Sequence, residues 1–371
     1  MAAVDRVQTT PYSYQTLANA VFGRRLAAGV DFAILLHCFS ALVAYQIIIG
    51  DLVPAVLEEW FNTSSFFFSR VGVALFLNLC VIFPLSLLRR MSFLQHTSLV
   101  AIGCMLYLTG MVVIHAITHG FDDAERGNVN EVDLSRGRQL TYFNLSPRIF
   151  VALPIIGFAF SSHVQIPKIY EELRARSTRR QRAVTASAIF VCLVVYATVG
   201  IFGYITFGVA VDGNVFNNFT DEDDVWVGVA KLGLALTLMF STPLFIHPMR
   251  ENAVHLHYLL TSPHAAADPA LAAKHAPVIE LLHWIPHTAI TFSILAIAGI
   301  LGVLVPNVEF VLSLAGATVV SVLVFMLPST FYLLSKTDRD SPLLKWIAFA
   351  MIGWGFMLLI VGTTVVFAFN D

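Results

Sequence analysis

Nine long apolar runs dominate this sequence and restrict what the chain can fold into. A helix needs about 20 consecutive apolar residues to cross the hydrocarbon core of a membrane. The runs that meet this condition, within a few residues, are Leu26–Ile49, Val71–Leu88, Phe93–Ile117, Ile149–Ile166, Val184–Phe207, Val225–Ile246, Ile285–Val305, Phe310–Leu333 and Leu343–Phe369. We therefore predict an all-α polytopic membrane protein with nine transmembrane helices in a lipid bilayer.

Composition supports a membrane protein and excludes a nucleic-acid-binding one. Only 12% of the residues are charged, whereas 57% are hydrophobic, and a soluble domain carries roughly a quarter charged residues. The net charge of −2 lacks the basic excess that contact with phosphates requires. We expect no nucleic acid among the partners.

The loop charges predict the orientation of the chain, because lysine and arginine accumulate on the cytoplasmic side. One set of alternate loops holds sixteen of them and the other set holds five. This bias places the N-terminus in the cytoplasm and the C-terminus outside. Two glycosylation acceptor sequences, at Asn62 and Asn218, both fall on the predicted outer side, and N-glycans are possible there.

No motif in the sequence predicts enzymatic chemistry or a bound cofactor. Ser161, Ser162 and His163 are adjacent, but neighbouring residues on a helix point about 100° apart and do not form a nucleophile–base pair. The four cysteines all lie in apolar runs without metal-ligand spacing. We expect no catalytic residue, no metal site and no cofactor.

The fourth apolar run contains polar groups that a bilayer disfavours, in the stretch GFAFSSHVQIPKIYEEL (157–173). Backbone at membrane depth can leave the helix only where protein or a wet cavity surrounds it. A glycine followed by small polar residues is typical of such an unwound segment, which exposes backbone groups to a ligand. A proline or glycine kink, with each serine bonded to its own helix, explains the composition equally well.

The sixth run contains a second polar group, in LGLALTLMFSTPLFIHPMR (232–250). Thr237 and Ser241 are four residues apart and share a helix face, while Pro243 cannot donate to the carbonyl of Met239. Hydroxyl and carbonyl oxygens are suitable ligands for Na⁺. The alternative is that these hydroxyls bond to carbonyls of their own helix around a proline kink.

Three further polar residues lie inside or beside apolar runs. For Asp31 we expect a capping role or a pair with an arginine, and the alternative is a proton relay. For Lys231 we expect a side chain that extends toward the outer interface, and the alternative is a charge on an ion path. His37 is either an interior packing residue or a functional one.

Four stretches together resemble the amino acid/auxin permease superfamily, most closely its sodium-coupled neutral amino acid transporter branch. They are ALVAYQIIIGDL (41–52), FPLSLLRRMSFLQHTS (83–98), GFAFSSHVQIPKIYEEL (157–173) and STPLFIHPMR (241–250). The stretch SLAGATVVSVLVFMLPSTFYL (313–333) is similar to the family's penultimate helix. The resemblance extends over nearly the whole chain, with the motifs in the same order and spacing.

The resemblance implies a single transmembrane transporter domain over residues 1–371 with an incomplete leucine-transporter-type inverted-repeat fold. Residues 26–117 would be the remainder of the first repeat, 149–333 the second repeat and 343–369 an extra C-terminal helix. The nine runs match the family's third to eleventh helices, which implies that its first two helices are lacking.

The resemblance also implies the site residues. The fourth run corresponds to the family's discontinuous sixth helix, where Gly157, Phe158, Ala159, Phe160 and Ser161 would be the unwound, substrate-binding backbone. The sixth run corresponds to the helix whose hydroxyl binds Na⁺, and Ser241 or Thr242, with Thr237 nearby, would bind that ion.

The implied function is secondary active transport of amino acids by alternating access, coupled to Na⁺ or H⁺. The membrane would be the plasma membrane or a lysosomal or vacuolar one. The alternatives are a non-transporting amino-acid sensor or regulatory relative, and an inactive truncated form.

Overall fold

The computed structural model describes residues 14–61, 66–88, 94–118, 146–208, 211–219, 225–261, 284–305, 307–334 and 341–369. All regular structure in these ranges is helical, without a strand. The helices in chain order are α1 (Tyr14–Phe22), α2 (Arg24–Phe61), α3 (Arg70–Ser86), α4 (Leu94–Thr118), α5 (Ile149–Ala159), α6 (Ile166–Glu172), α7 (Thr178–Phe207), α8 (Val225–Thr261), α9 (Trp284–Leu304), α10 (Val308–Leu334) and α11 (Pro342–Ala368).

Seven of these helices are long and apolar enough to cross a membrane, namely α2, α4, α7, α8, α9, α10 and α11. They coincide with seven of the nine predicted runs. The second and fourth runs form shorter apolar helical segments, Arg70–Ser86 and Ile149–Gln165. The prediction of an all-helical polytopic membrane protein is confirmed at this level, and the count of nine stays a prediction.

Helix α2 lies at the centre of the bundle. Over half of the residues in its most apolar 18-residue stretch are buried in protein, compared with 6% of those in the corresponding stretch of α7. Ile34, Leu42 and Ile47 of α2 are fully buried in the same cluster as Ile246 of α8. The large apolar side chains of α7, such as Phe190, remain exposed. Helix α2 is therefore a core helix, whereas α7 presents most of its surface to lipid.

Helices α2 and α8 continue well beyond the apolar runs that predicted them. Helix α2 ends at Phe61 rather than Ile49, and α8 ends at Thr261 rather than Ile246. At 1.5 Å per residue each is about 55 Å long, much more than the ~30 Å hydrocarbon core. The α2 extension contains three acidic residues among apolar ones, whereas the α8 extension is rich in polar residues.

The extension of α2 is anchored by a charged side chain from the next helix. Arg70 forms an ion pair with Asp51 at 3.1 Å and donates a hydrogen bond to the Gly302 carbonyl at 3.0 Å. One guanidinium thus joins α2, α3 and α9. One turn deeper, the buried Gln46 of α2 and the half-buried Asn78 of α3 exchange two side-chain hydrogen bonds of 2.9 and 2.8 Å.

Lys231 also lies near this end, and its side chain extends toward the predicted outer segment 211–219, where protein rather than the membrane interface surrounds its ammonium group. Its side chain is buried and its Nζ donates to the Phe219 carbonyl at 3.4 Å. The segment 211–219 folds back over the start of α8, which provides the carbonyl and removes the lysine from lipid.

The opposite end of the bundle, the predicted cytoplasmic end, is held by buried polar contacts as well. Asp31 is fully buried and pairs with His255 at 2.6 Å, so the expected arginine partner is a histidine of α8 instead. Arg250 is buried and donates to the Ser86 carbonyl at 2.7 Å and to the Thr291 hydroxyl at 2.9 Å. These contacts connect α8 with α2, α3 and α9.

Helix α1 packs against the same end of α10. The Tyr14 hydroxyl donates to the Leu323 carbonyl at 3.2 Å, and the Tyr14 ring lies 5.5 Å from that of Phe331. Burial raises the pKa of the Tyr14 phenol, because an apolar environment disfavours the phenolate.

Glycines allow α10 to approach its neighbours at backbone distance. A Cβ added to Gly316 would overlap the Pro154 carbonyl oxygen of α5, and one added to Gly355 of α11 would lie 3.1 Å from the Ser321 carbonyl oxygen. Close backbone packing of this kind is the usual role of small residues between membrane helices. The same part of α10, Gly316–Met326, is π-helical, a form usually limited to single turns and often found at functional sites.

We predict that Gly316→Ala destabilises the protein, because the new methyl group forces α5 and α10 apart. Overpacking of a tight contact costs roughly 1–3 kcal/mol. The expected result is a lower apparent melting temperature of the purified protein in detergent. Gly353→Ala is the matched control, since a Cβ there meets nothing within 4 Å, and an equal fall in both variants would contradict the prediction.

Candidate binding site at a broken helix

The interruption predicted in the fourth apolar run is present. Helix α5 ends at Ala159, residues 160–162 are non-helical, and a 3-10 turn over His163–Gln165 leads into α6. Phe160 and Ser162 have bridge-region torsions (φ −96°, ψ 12° and φ −92°, ψ 2°). The chain therefore stops one helix and starts another inside an apolar segment.

Local hydrogen bonds explain where the helix stops. The Ser161 hydroxyl donates to the Phe158 carbonyl at 2.6 Å, and the Ser161 backbone N–H donates to the same oxygen at 3.0 Å. Serine commonly competes with helical hydrogen bonding in this way. Pro167 in the first turn of α6 sets the restart, since proline is favoured at that position.

The break begins three residues further along the chain than the sequence predicted, at residue 160 instead of 157. Of the five predicted substrate-binding residues, Gly157, Phe158 and Ala159 still belong to the last turn of α5, and only Phe160 and Ser161 are in the non-helical segment. The position of the interruption follows from Ser161 rather than from Gly157, because the Ser161 side chain provides the hydrogen bond that competes with the helix.

Helices α2, α7 and α10 surround the break. A Cβ on Gly157 would meet Phe325 and Val320 of α10 at 3.6 and 3.7 Å. The Phe160 ring packs edge-on against Tyr196 of α7, with 5.4 Å between the ring centroids. The non-helical backbone is thus partly enclosed by protein, the condition under which it is stable at membrane depth.

His37 of α2 is the polar side chain that meets the break. Its Nε2 lies 3.3 Å from the Ser161 hydroxyl oxygen, and its ring lies 4.9 Å from that of Phe158. The side chain is buried, and its Nδ1 has no hydrogen-bond partner among the described residues. Because the Ser161 hydroxyl already donates to the Phe158 carbonyl, Nε2 donates to the Ser161 oxygen, and Nδ1 of the neutral ring can accept one further hydrogen bond.

The sequence singled out His37 only as a polar residue in an apolar run, and it gave no signal for Tyr196, Val320 or Phe325. A histidine in an apolar helix can equally be a packing residue. The contact with Ser161, 124 positions away in the chain, places His37 at the break, which the sequence did not predict.

The three hydroxyls predicted to bind Na⁺ are all bonded within α8. Thr237 donates to Gly233 at 2.9 Å, Ser241 to Thr237 at 2.8 Å and Thr242 to Leu238 at 2.9 Å, each to a carbonyl four residues back. This is the back-bonded arrangement that sequence analysis left as the alternative. A donating hydroxyl keeps its oxygen lone pairs, so the geometry is compatible with either role.

Other site chemistry receives no support in the described part of the chain. No group of three or more histidine, cysteine, aspartate or glutamate side chains there could hold a metal ion. Cys38, Cys80, Cys104 and Cys192 are not joined by disulfides. Asn62 lies outside the described residues, whereas Asn218 ends a 3-10 turn between α7 and α8.

Comparison with known proteins agrees with this architecture. Residues 2–368 match the family model described as transmembrane amino acid transporter protein. The chain is 25% identical over 378 residues to vacuolar amino acid transporter 6 of Saccharomyces cerevisiae, covering 92% of this chain and 82% of that protein. It is 28% identical over 330 residues to vacuolar amino acid transporter 5 of Schizosaccharomyces pombe, covering 89% and 71%.

A third relative, sodium-coupled neutral amino acid symporter 2 of Danio rerio, is 24% identical over 365 residues, covering 93% of this chain and 68% of the relative. The family and these relatives are transporters rather than enzymes, which confirms both the resemblance and the expectation that the chain is not an enzyme. The chain belongs to the transmembrane amino acid transporter protein family, also called the amino acid/auxin permease family.

Proposed function

We propose that this protein carries amino acids across a membrane by alternating access, coupled to Na⁺ or H⁺. The family and the names of the relatives support amino acids as the substrate class. The observation that carries the proposal is the non-helical segment 160–162, which interrupts an apolar helix beside a buried histidine.

The broken helix suits a zwitterionic substrate. The C-terminal end of α5 carries the negative end of its helix dipole, which favours an ammonium group or a cation. Phe160 and Ser161 offer backbone and hydroxyl groups at that end, while Gly157, Phe158 and Ala159 form the last turn leading to it. His37 holds Ser161 in place and has one ring nitrogen left to contact substrate.

The full architecture that we propose is nine transmembrane helices in the leucine-transporter arrangement. Residues 26–117 and 149–333 would contribute to two inverted repeats, and 343–369 would add a helix. The two short apolar segments coincide with predicted spans, which supports nine. In such folds one bundle rocks against a scaffold around a midplane site, and the long, polar-anchored pair α2 and α8 suits the scaffold.

We also propose the predicted orientation, with the N-terminus in the cytoplasm and the C-terminus outside, in a vacuolar, lysosomal or plasma membrane. Two of the relatives are named vacuolar transporters. An N-glycan on Asn218 fits its place in the segment between α7 and α8, and one on Asn62 follows from the sequence alone.

Proteoliposomes containing the protein should accumulate radiolabelled alanine when an inward Na⁺ or H⁺ gradient is imposed. Each gradient is applied alone, and an ionophore that collapses it should abolish the accumulation. Uptake that ignores both gradients would exclude the coupled mechanism, and specific binding without accumulation would indicate a sensor instead.

We place the coupling ion, if it is Na⁺, at Ser241 and Thr242 with Thr237 nearby. Replacing Ser241 and Thr242 by alanine should raise the Na⁺ concentration for half-maximal uptake at least tenfold, equal to about 1.4 kcal/mol of binding free energy. Thr198→Ala is the matched control, because that exposed hydroxyl is also bonded four residues back. A fall in maximal rate alone would show that these hydroxyls do not bind the ion.

His37→Ala should lower the ratio of maximal uptake rate to KM about tenfold, since it removes a side chain that holds Ser161 and faces substrate. The loss corresponds to about 1.4 kcal/mol, within the usual range for a buried hydrogen bond. His37→Gln keeps an amide that can reach Ser161 and should recover part of the loss. If both variants transport normally in proteoliposomes, His37 has only a packing role.

A further inference from the structure

A polar cavity lies at the predicted outer end of the bundle, away from the broken segment. It encloses about 190 Å³ between the start of α5, the start of α10 and the end of α11. A water molecule takes up about 30 Å³ of liquid, so the volume suits a ligand of several heavy atoms. About ten residues of α5 separate this end of the helix from the break, roughly 15 Å at 1.5 Å per residue.

One wall of the cavity carries a positive charge held in place by an aromatic ring. Arg148, the residue before α5, places its guanidinium carbon 5.9 Å from the centroid of the Phe369 ring. A cation–π contact of this kind orients the guanidinium while leaving its N–H edge available. That edge matches a carboxylate, which arginine binds with two parallel hydrogen bonds.

The start of α10 contributes a negative charge to the lining. Glu309 lies in the first turn of α10, whose start is capped by Asn307 through a 3.2 Å hydrogen bond from the Phe310 N–H. A Cβ on Gly213 would lie 2.8 Å from Glu309 Oε2, so the segment 211–219 limits where this carboxylate can move. A glutamate in this position is also stabilised by the helix dipole.

The two charges do not neutralise each other directly. The ion pairs formed among the described residues are Arg70 with Asp51, His247 with Glu251 and His255 with Asp31. Arg148 and Glu309 both line the cavity without forming such a pair there. Val151, Val366 and Phe369 complete its walls with apolar surface.

We propose that this Arg148–Glu309 cavity is a second, peripheral binding site for an amino acid. The carboxylate of the ligand bonds to Arg148, its ammonium group to Glu309, and its side chain packs against Val151, Val366 and Phe369. The occupant contacts α5, α10 and α11 together. The choice of an amino acid rests on the proposed transport function, whereas the preference for a ligand with both charges rests on the cavity alone.

The test uses a cysteine placed in the cavity wall. Val151→Cys is reacted with a charged, membrane-impermeant methanethiosulfonate reagent in the detergent-solubilised full chain, and unaltered protein gives the background from native cysteines. Alanine, leucine and glutamine are the probes. We expect at least one to slow modification tenfold or more at concentrations up to about 10 mM, ten times the upper end of usual KM values.

Charge variants and analogues then test the recognition. Arg148→Gln and Glu309→Gln, each combined with Val151→Cys, should raise the half-protecting concentration at least tenfold, and Arg148→Lys should raise it less. Leucinol, which lacks the carboxylate, and 4-methylpentanoate, which lacks the ammonium group, should not protect. The proposal would be overturned if the half-protecting concentration were unchanged in both charge variants, or if no probe slowed the modification.

Two further experiments distinguish amino-acid binding in this cavity from occupancy by a lipid headgroup and from an effect of the broken helix. Slow modification in nanodiscs containing phosphatidylethanolamine, without protection by an added amino acid, would show that a lipid headgroup is the occupant and overturn the proposal. Protection should persist when His37→Ala is added to Val151→Cys, and its loss in parallel with uptake would assign the effect to the central site. Protection without uptake would contradict the transport function and leave the peripheral site standing.

Discussion

Backbone hydrogen bonding in a medium without water is the constraint on which this structure depends. A membrane helix can stop only where other protein groups satisfy or shield the freed backbone. The break at residues 160–162 meets this condition because Ser161 bonds to the Phe158 carbonyl while α2, α7 and α10 surround the segment. The close approach of Gly316 to Pro154 brings α10 near enough to provide one of these walls.

Polar contacts at the two ends of the bundle hold together several of the helices around that break. Arg70 joins three helices at one end, and Arg250 with the Asp31–His255 pair joins helices at the other. Buried charged groups are costly unless they are paired and hydrogen-bonded, so these contacts specify which helix faces which. The apolar surface between them is less selective, since lipid tails compete equally well for leucine and phenylalanine.

The sequence predicted that the candidate site is an interrupted helix, but it did not predict the residue at which the interruption begins. The composition of residues 157–173 indicated an interruption, and one is present. The glycine suggested that it would begin at Gly157, whereas the Ser161 side chain places it after Ala159. His37 and Tyr196 also contact the break, and they lie on helices that are far apart in the sequence. The sequence alone does not show that these two residues meet the same segment. For Ser241 and Thr242 the back-bonds in α8 leave the ion assignment a proposal.

Apolar run length by itself determined that this chain is a polytopic helical membrane protein, because hydrocarbon thickness requires about 20 apolar residues per span. The order of its motifs also carried the family assignment. Tertiary structure alone decided how far α2 and α8 extend, that Asp31 pairs with a histidine and that Lys231 is buried. The physical reason is that helix length and polar pairing depend on which partner atoms lie within hydrogen-bonding distance. Those partners are far apart in the sequence, so only the folded chain brings them together.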